Sequence, residues 1–188
     1  SQILLEFIVN TIFRTISSHQ SKPIYKEKLI FALSESHNHR TMSKIYPVGI
    51  QSFEEIRKNH YCYVDKTELI YQLANSGKYY FLSRPRRFGK SLLISTLEAY
   101  FSGKKELFQG LAMEQLEKEW TAYPVLHLDL NARRYENEAS LYAILNQHLE
   151  SWEAIYGDEK KDRAPEERFA YLIEKISRTT SKNVVVLV

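Results

Sequence analysis

Phe81-Leu82-Ser83-Arg84-Pro85-Arg86-Arg87-Phe88-Gly89-Lys90-Ser91-Leu92 is the stretch on which the reading of this chain turns. It leaves an apolar run, 79–83, that reads as a strand, and it closes on Gly-Lys-Ser, where a helical pattern opens. Across 89–101 the side chains of Leu92, Leu93, Thr96, Leu97 and Tyr100 fall on one helical face. A cationic turn leading into a helix N-terminus is a natural place for an anion. The first backbone N–H groups of a helix lack intrahelical partners, and the helix dipole adds positive potential there. Gly89 permits close approach and unusual dihedrals. Lys90 can set an ammonium on the terminal phosphates of a nucleotide, and the Ser91 hydroxyl can coordinate Mg2+.

The expected ligand is therefore a nucleotide with Mg2+, held by Arg86, Arg87, Phe88, Gly89, Lys90, Ser91 and Leu92, with Ser91 as the metal ligand. One position departs from the usual GxxxxGK[ST] phosphate loop: its first glycine falls at Arg84, and Pro85 follows. The plainer alternative is a helix start whose basic turn sits in solvent. A strand before the turn, a helix after it and three arginines inside it favour the nucleotide.

Outward from the turn, two more apolar runs resemble buried parallel strands, 124–130 (PVLHLDL) and 183–188 (NVVVLV). Helical patterns occupy 138–156 and 166–178, and Asp65 or Thr67 is a capping candidate for another over TELIYQLANSG. Strand, helix, strand, helices, strand is the order of an α/β protein with a parallel sheet. The expected fold class is α/β, a three-layer P-loop fold cut short after the strand that would precede the second acidic motif. Ligands of such sheets gather at the carboxyl ends of the strands, and Asp129 ends one of them. Its plainer role is a cap or turn acid before Asn131.

Composition sets outer bounds. The 188 residues are 44% hydrophobic and 26% charged, as in a globular protein with a real core. A net charge of +3 is too mild to announce a nucleic-acid binder. One cysteine, Cys62, excludes an intrachain disulfide framework. The greasy stretch 3–13 carries Glu6 and Asn10 and is far short of the ~20 apolar residues a membrane span needs. It reads as a short amphipathic helix, and a cytoplasmic location is expected. Texture changes near Met42, so residues 1–41 read as a leader or non-domain segment and 42–188 as the N-terminal part of the nucleotide-binding domain. His37 and His39 lie in the polar part of that leader without further ligands. The tyrosine-rich aromatic content suggests packing more than a base-stacking platform.

From about Ile45 onward the chain resembles the AAA-ATPase-like family of prokaryotic P-loop proteins. The resemblance rests on Tyr46-Pro47-Val48-Gly49, Phe53, Ile56, Tyr63-Val64-Asp65-Lys66-Thr67, the RPRRFGKS string at 84–91, Leu107-Phe108-Gln109-Gly110-Leu111 and Tyr123-Pro124-Val125. It implies an ATP-binding AAA-like core with Gly89, Lys90 and Ser91 at its Walker A positions, and a lost first glycine is usual there. It also implies an Asp-Glu-Tyr-Asp string after the strand equivalent to 183–188. A PD-(D/E)XK nuclease-like domain often follows, with nucleic acid as its partner, and a homo-oligomeric ring is compatible with the likeness. Asp65, Lys66 and Thr67 are expected to position a helix flanking the nucleotide. Hydrolysis needs a second acid for Mg2+ and a group that directs water; these are expected only in a longer parent chain. Two other functions fit the same residues: a nucleotide switch that never turns over, and a turn that grips a nucleic-acid backbone.

Overall fold

The computed structural model describes residues 45–83, 85, 88–130, 138–157 and 159–188. The readings made for 1–41, for Arg86 and Arg87, and for Asn131 lie outside these residues.

Helix α1, Phe53–Lys58, starts at Ser52, whose hydroxyl accepts from the Glu55 amide at 3.2 Å, and carries Glu54 and Glu55 in its first turn and Arg57 and Lys58 in its last. Helix α2 spans Thr67–Ser76 and helix α3 Lys90–Phe101. A 3-10 turn, Lys105–Phe108, leads to the short helix α4, Ala112–Leu116. Strand β1, Val125–His127, is followed by α5, Glu138–Tyr156, α6, Pro165–Thr180, and strand β2, Val185–Leu187. Pro165 opens α6, where a missing N–H costs nothing, and Ser181 ends it in the left-handed conformation at φ 53°.

The two strands are parallel, with Val125 beside Val185, Leu126 beside Val186 and His127 beside Leu187. Bonds from Val185 N to Pro124 O (2.9 Å) and from Leu128 N to Leu187 O (2.7 Å) carry the pairing one residue past each end of β1. Alternation along the strands divides the side chains between two cores. On one face Val125, Val185 and Leu187 join Leu97 of α3, Phe53 of α1, Ile70 of α2, and Phe108 and Met113. On the other, Leu126, Leu128 and Val184 pack against Leu149 and Trp152 of α5 and Leu172 and Ile176 of α6. The chain is thus α/β, a small parallel sheet with helices against both faces. Aromatic rings fill the first core: Phe53 and Phe108 lie 4.9 Å apart, and Phe108 and Trp120 5.2 Å.

Helices α5 and α6 are locked by a buried ion pair. The Arg168 guanidinium donates to both Glu153 carboxylate oxygens, at 2.7 and 2.6 Å, and to Asn146 Oδ1 at 2.7 Å. Both charged residues are only 5% exposed, so neither tolerates loss of the other.

One expected element is absent. Residues 79–83 form no strand, and Tyr79, Tyr80, Phe81 and Leu82 are 87, 50, 61 and 42% exposed. A strand exists only with a partner for its backbone groups, and among the described residues the two strands pair with each other. The segment is instead an extended lead into the turn, with Tyr80 folded back toward Gly77.

Candidate phosphate-binding site

Phe81, Leu82, Ser83 and Pro85 are non-helical, and the helix begins at Lys90. Gly89 is its N-cap, with φ 75° and ψ 22°, a left-handed conformation that costs an L side chain about 1–2 kcal/mol. Among the described residues, its chain neighbours aside, no atom lies within 4 Å of where a Cβ at Gly89 would stand. Gly89 has no side chain with which to cap the helix, and its carbonyl accepts from Leu93 N at 2.9 Å. Lys90 and Ser91 are exposed, Phe88 is 64% exposed, and Leu92 turns inward against the first core.

Helix α3 is held at three points. The Ser95 hydroxyl accepts from Phe53 N at 2.8 Å and so fixes the start of α1 one turn beyond Ser91. Phe101 O accepts from Tyr123 N at 2.7 Å, just before β1 begins. His127 Nδ1, at the end of β1, lies 3.0 Å from Glu98 Oε2. As the strand runs forward from Tyr123 to His127, the helix runs backward from Phe101 to Glu98. The two are antiparallel, and the Gly89–Ser91 turn lies toward the carboxyl end of the sheet.

Asp65 and Thr67 serve a different junction. One Asp65 carboxylate oxygen accepts from the Thr67 amide at 2.8 Å and the Thr67 hydroxyl at 2.7 Å; the other accepts from Ala112 N at 2.7 Å. The Thr67 hydroxyl in turn accepts from Met113 N at 3.0 Å, a buried bond. One acid therefore caps α2 and the start of α4 together. Partial burial pushes its pKa up, but the Ala112 and Thr67 donors prevail and hold it below the ordinary carboxylate value. Lys66 is exposed, with no side-chain capping bond. Asp129 is exposed just beyond β1, and its carbonyl accepts from His148 Nε2 at 3.2 Å. Among the described residues no group of three or more His, Cys, Asp or Glu could hold a metal ion. Nor is any described helix long and apolar enough to cross a membrane.

A family described as predicted AAA-ATPases matches residues 47–188. The chain belongs to the AAA-ATPase-like family. That family description is in accord with nucleotide binding. The chain is also similar to an uncharacterized protein encoded in the vnfD 5' region of Azotobacter chroococcum mcd 1, 38% identical over 147 residues. The match covers 77% of this chain and 28% of that relative, so the chain spans well under half of the relative's length. No solved structure matches.

Two features of this AAA-ATPase-like chain escaped the sequence reading. Ser95 had a usable signal, since it follows Ser91 by one helical turn. The His127–Glu98 pair had none, because tertiary packing alone brings a strand and a distant helix together.

Proposed function

We propose that the chain binds ATP at the turn between Phe81 and Leu92. Amides of residues 86–91 surround the phosphates, Lys90 neutralises the terminal ones, and Ser91 offers its hydroxyl to Mg2+. The observation that carries this is the left-handed Gly89 at the start of a 12-residue helix, with Lys90 and Ser91 exposed immediately after it. The Mg2+ fits as a companion of the phosphates: Ser91 is one hard oxygen donor, and the described residues hold no acid cluster that would bind the ion unaided. Bound there, Mg2+ supplies charge neutralisation across the phosphate oxygens. The finer fold assignment, a three-layer P-loop domain beginning near Met42, belongs to the same reading, as does a cytoplasmic location.

The test is calorimetric titration with ATP and Mg2+. Lys90→Ala should weaken binding about ten- to a hundredfold, the worth of one charge-assisted contact of ~1.5–3 kcal/mol, with its melting temperature unchanged. Equal affinity in the two proteins defeats the proposal. Hydrolysis, a nuclease-like domain acting on nucleic acid, and ring assembly are proposals for a longer parent. A parent that binds ATP without turnover, with or without nucleic acid, is a switch. Oligonucleotide binding that salt abolishes and ATP does not contest would assign the arginines to a nucleic-acid backbone instead.

A further inference from the structure

We infer that Asp129 is an acid of the nucleotide site, holding water on the Mg2+ that ATP carries. This rests on the ATP-binding reading and adds a residue to it. Its face of the strand and its level along it carry this. Along β1, Leu126 and Leu128 are buried on the α5–α6 side, whereas Val125 packs with the α3 core and His127 reaches Glu98 of α3. Side chains alternate along a strand, so Asp129, two residues after His127, takes the α3 side as well. Its exposure fits a position beyond the packed part of that face.

Level follows from the antiparallel run of helix and strand. From the His127–Glu98 contact, Ser91 lies seven helical residues back, about 10 Å at ~1.5 Å per residue. Asp129 lies two residues on, about 7 Å at ~3.3 Å per residue. The carboxylate thus stands level with the opening turns of α3, on the side of the helix that Ser91 shares with Glu98, seven residues on. Its backbone is pinned there from the opposite face, where His148 of α5 donates to the Asp129 carbonyl at 3.2 Å. A carboxylate and a hydroxyl are hard oxygen donors, the set Mg2+ prefers, and the ion keeps most of its waters in such sites. Asp129 also has contacts within the chain, which it exchanges for the ion's water when the site loads.

The experiment compares ATP affinity with Mg2+ and with EDTA for the wild type, Asp129→Asn and an exposed-turn control, Asp162→Asn. A carboxylate acting through water is worth about ten- to a hundredfold in metal affinity. The wild type and control should bind more tightly with Mg2+. Asp129→Asn should lose that advantage, bind at least as well in EDTA because a negative charge has left the phosphates, and melt as the wild type does. A variant that keeps the full Mg2+ advantage overturns the role of Asp129 and leaves ATP binding standing, as does one weakened equally in both conditions. A wild type that binds ATP in neither condition overturns both.

Discussion

Replacing Thr67 by valine tests whether the Asp65-Lys66-Thr67 segment is scaffold or ligand contact. Valine matches threonine in shape, so no cavity opens, and only the hydroxyl is lost. That hydroxyl is fully buried, donates to Asp65 at 2.7 Å and accepts from the Met113 amide at 3.0 Å. Leaving a buried amide unpaired costs ~1–3 kcal/mol, and losing the bond to a carboxylate adds roughly 1.5–3 kcal/mol. The total, about 2.5–6 kcal/mol, corresponds to a fall in melting temperature of roughly 5–24 °C for a chain of this size. Thermal and urea unfolding at neutral pH measure it. Thr67→Ser keeps the hydroxyl and gives up one methyl, about 0.8 kcal/mol, and should recover most of the loss. ATP affinity, measured where the valine variant is folded, should change less than threefold. Unaltered stability with sharply weakened ATP binding would refute the clasp and place Thr67 on the nucleotide.

The remaining expectations concern the frame around the site. Arg168→Met leaves Glu153 buried without a partner and should cost about 3–5 kcal/mol by urea unfolding, whereas Arg168→Met with Glu153→Leu should restore much of it. Equal stability of the single and double variants would show the pair to be unimportant. On the acid side, Asp65 is held below its ordinary value of 3.8, so its stabilisation is complete above that pH. It is lost as pH falls through the depressed folded value; Asp65→Asn should flatten that limb of a stability-versus-pH curve, and an unchanged limb contradicts the capping geometry.

Helices were legible where periodicity is long. Helices α2, α3, α5 and α6 lie where apolar spacing and Pro165 place them, because such faces must be buried whatever they meet. The short helices α1 and α4 left weaker traces, since five or six residues owe their helicity to the Ser52 cap and the Asp65 clasp. An apolar run states that a segment wants burial, and says nothing about its partner. That distinction separates 124–130 and 183–188, which pair with each other, from 79–83, which has no strand beside it among the described residues. At the turn, Gly-Lys-Ser foretold the helix start, and the unusual dihedrals open to its glycine are left-handed ones. The capping of α2 by Asp65 could be read locally. Its second bond, to an amide 47 residues away, could not.

The most direct measurement is an amide-resolved NMR titration with ATP and Mg2+. The largest shifts are expected at the backbone N–H groups of 86–92, chiefly Gly89, Lys90 and Ser91, with Thr67 and Met113 nearly still. Shifts centred elsewhere, or none at saturating ATP, would contradict ATP binding at this turn.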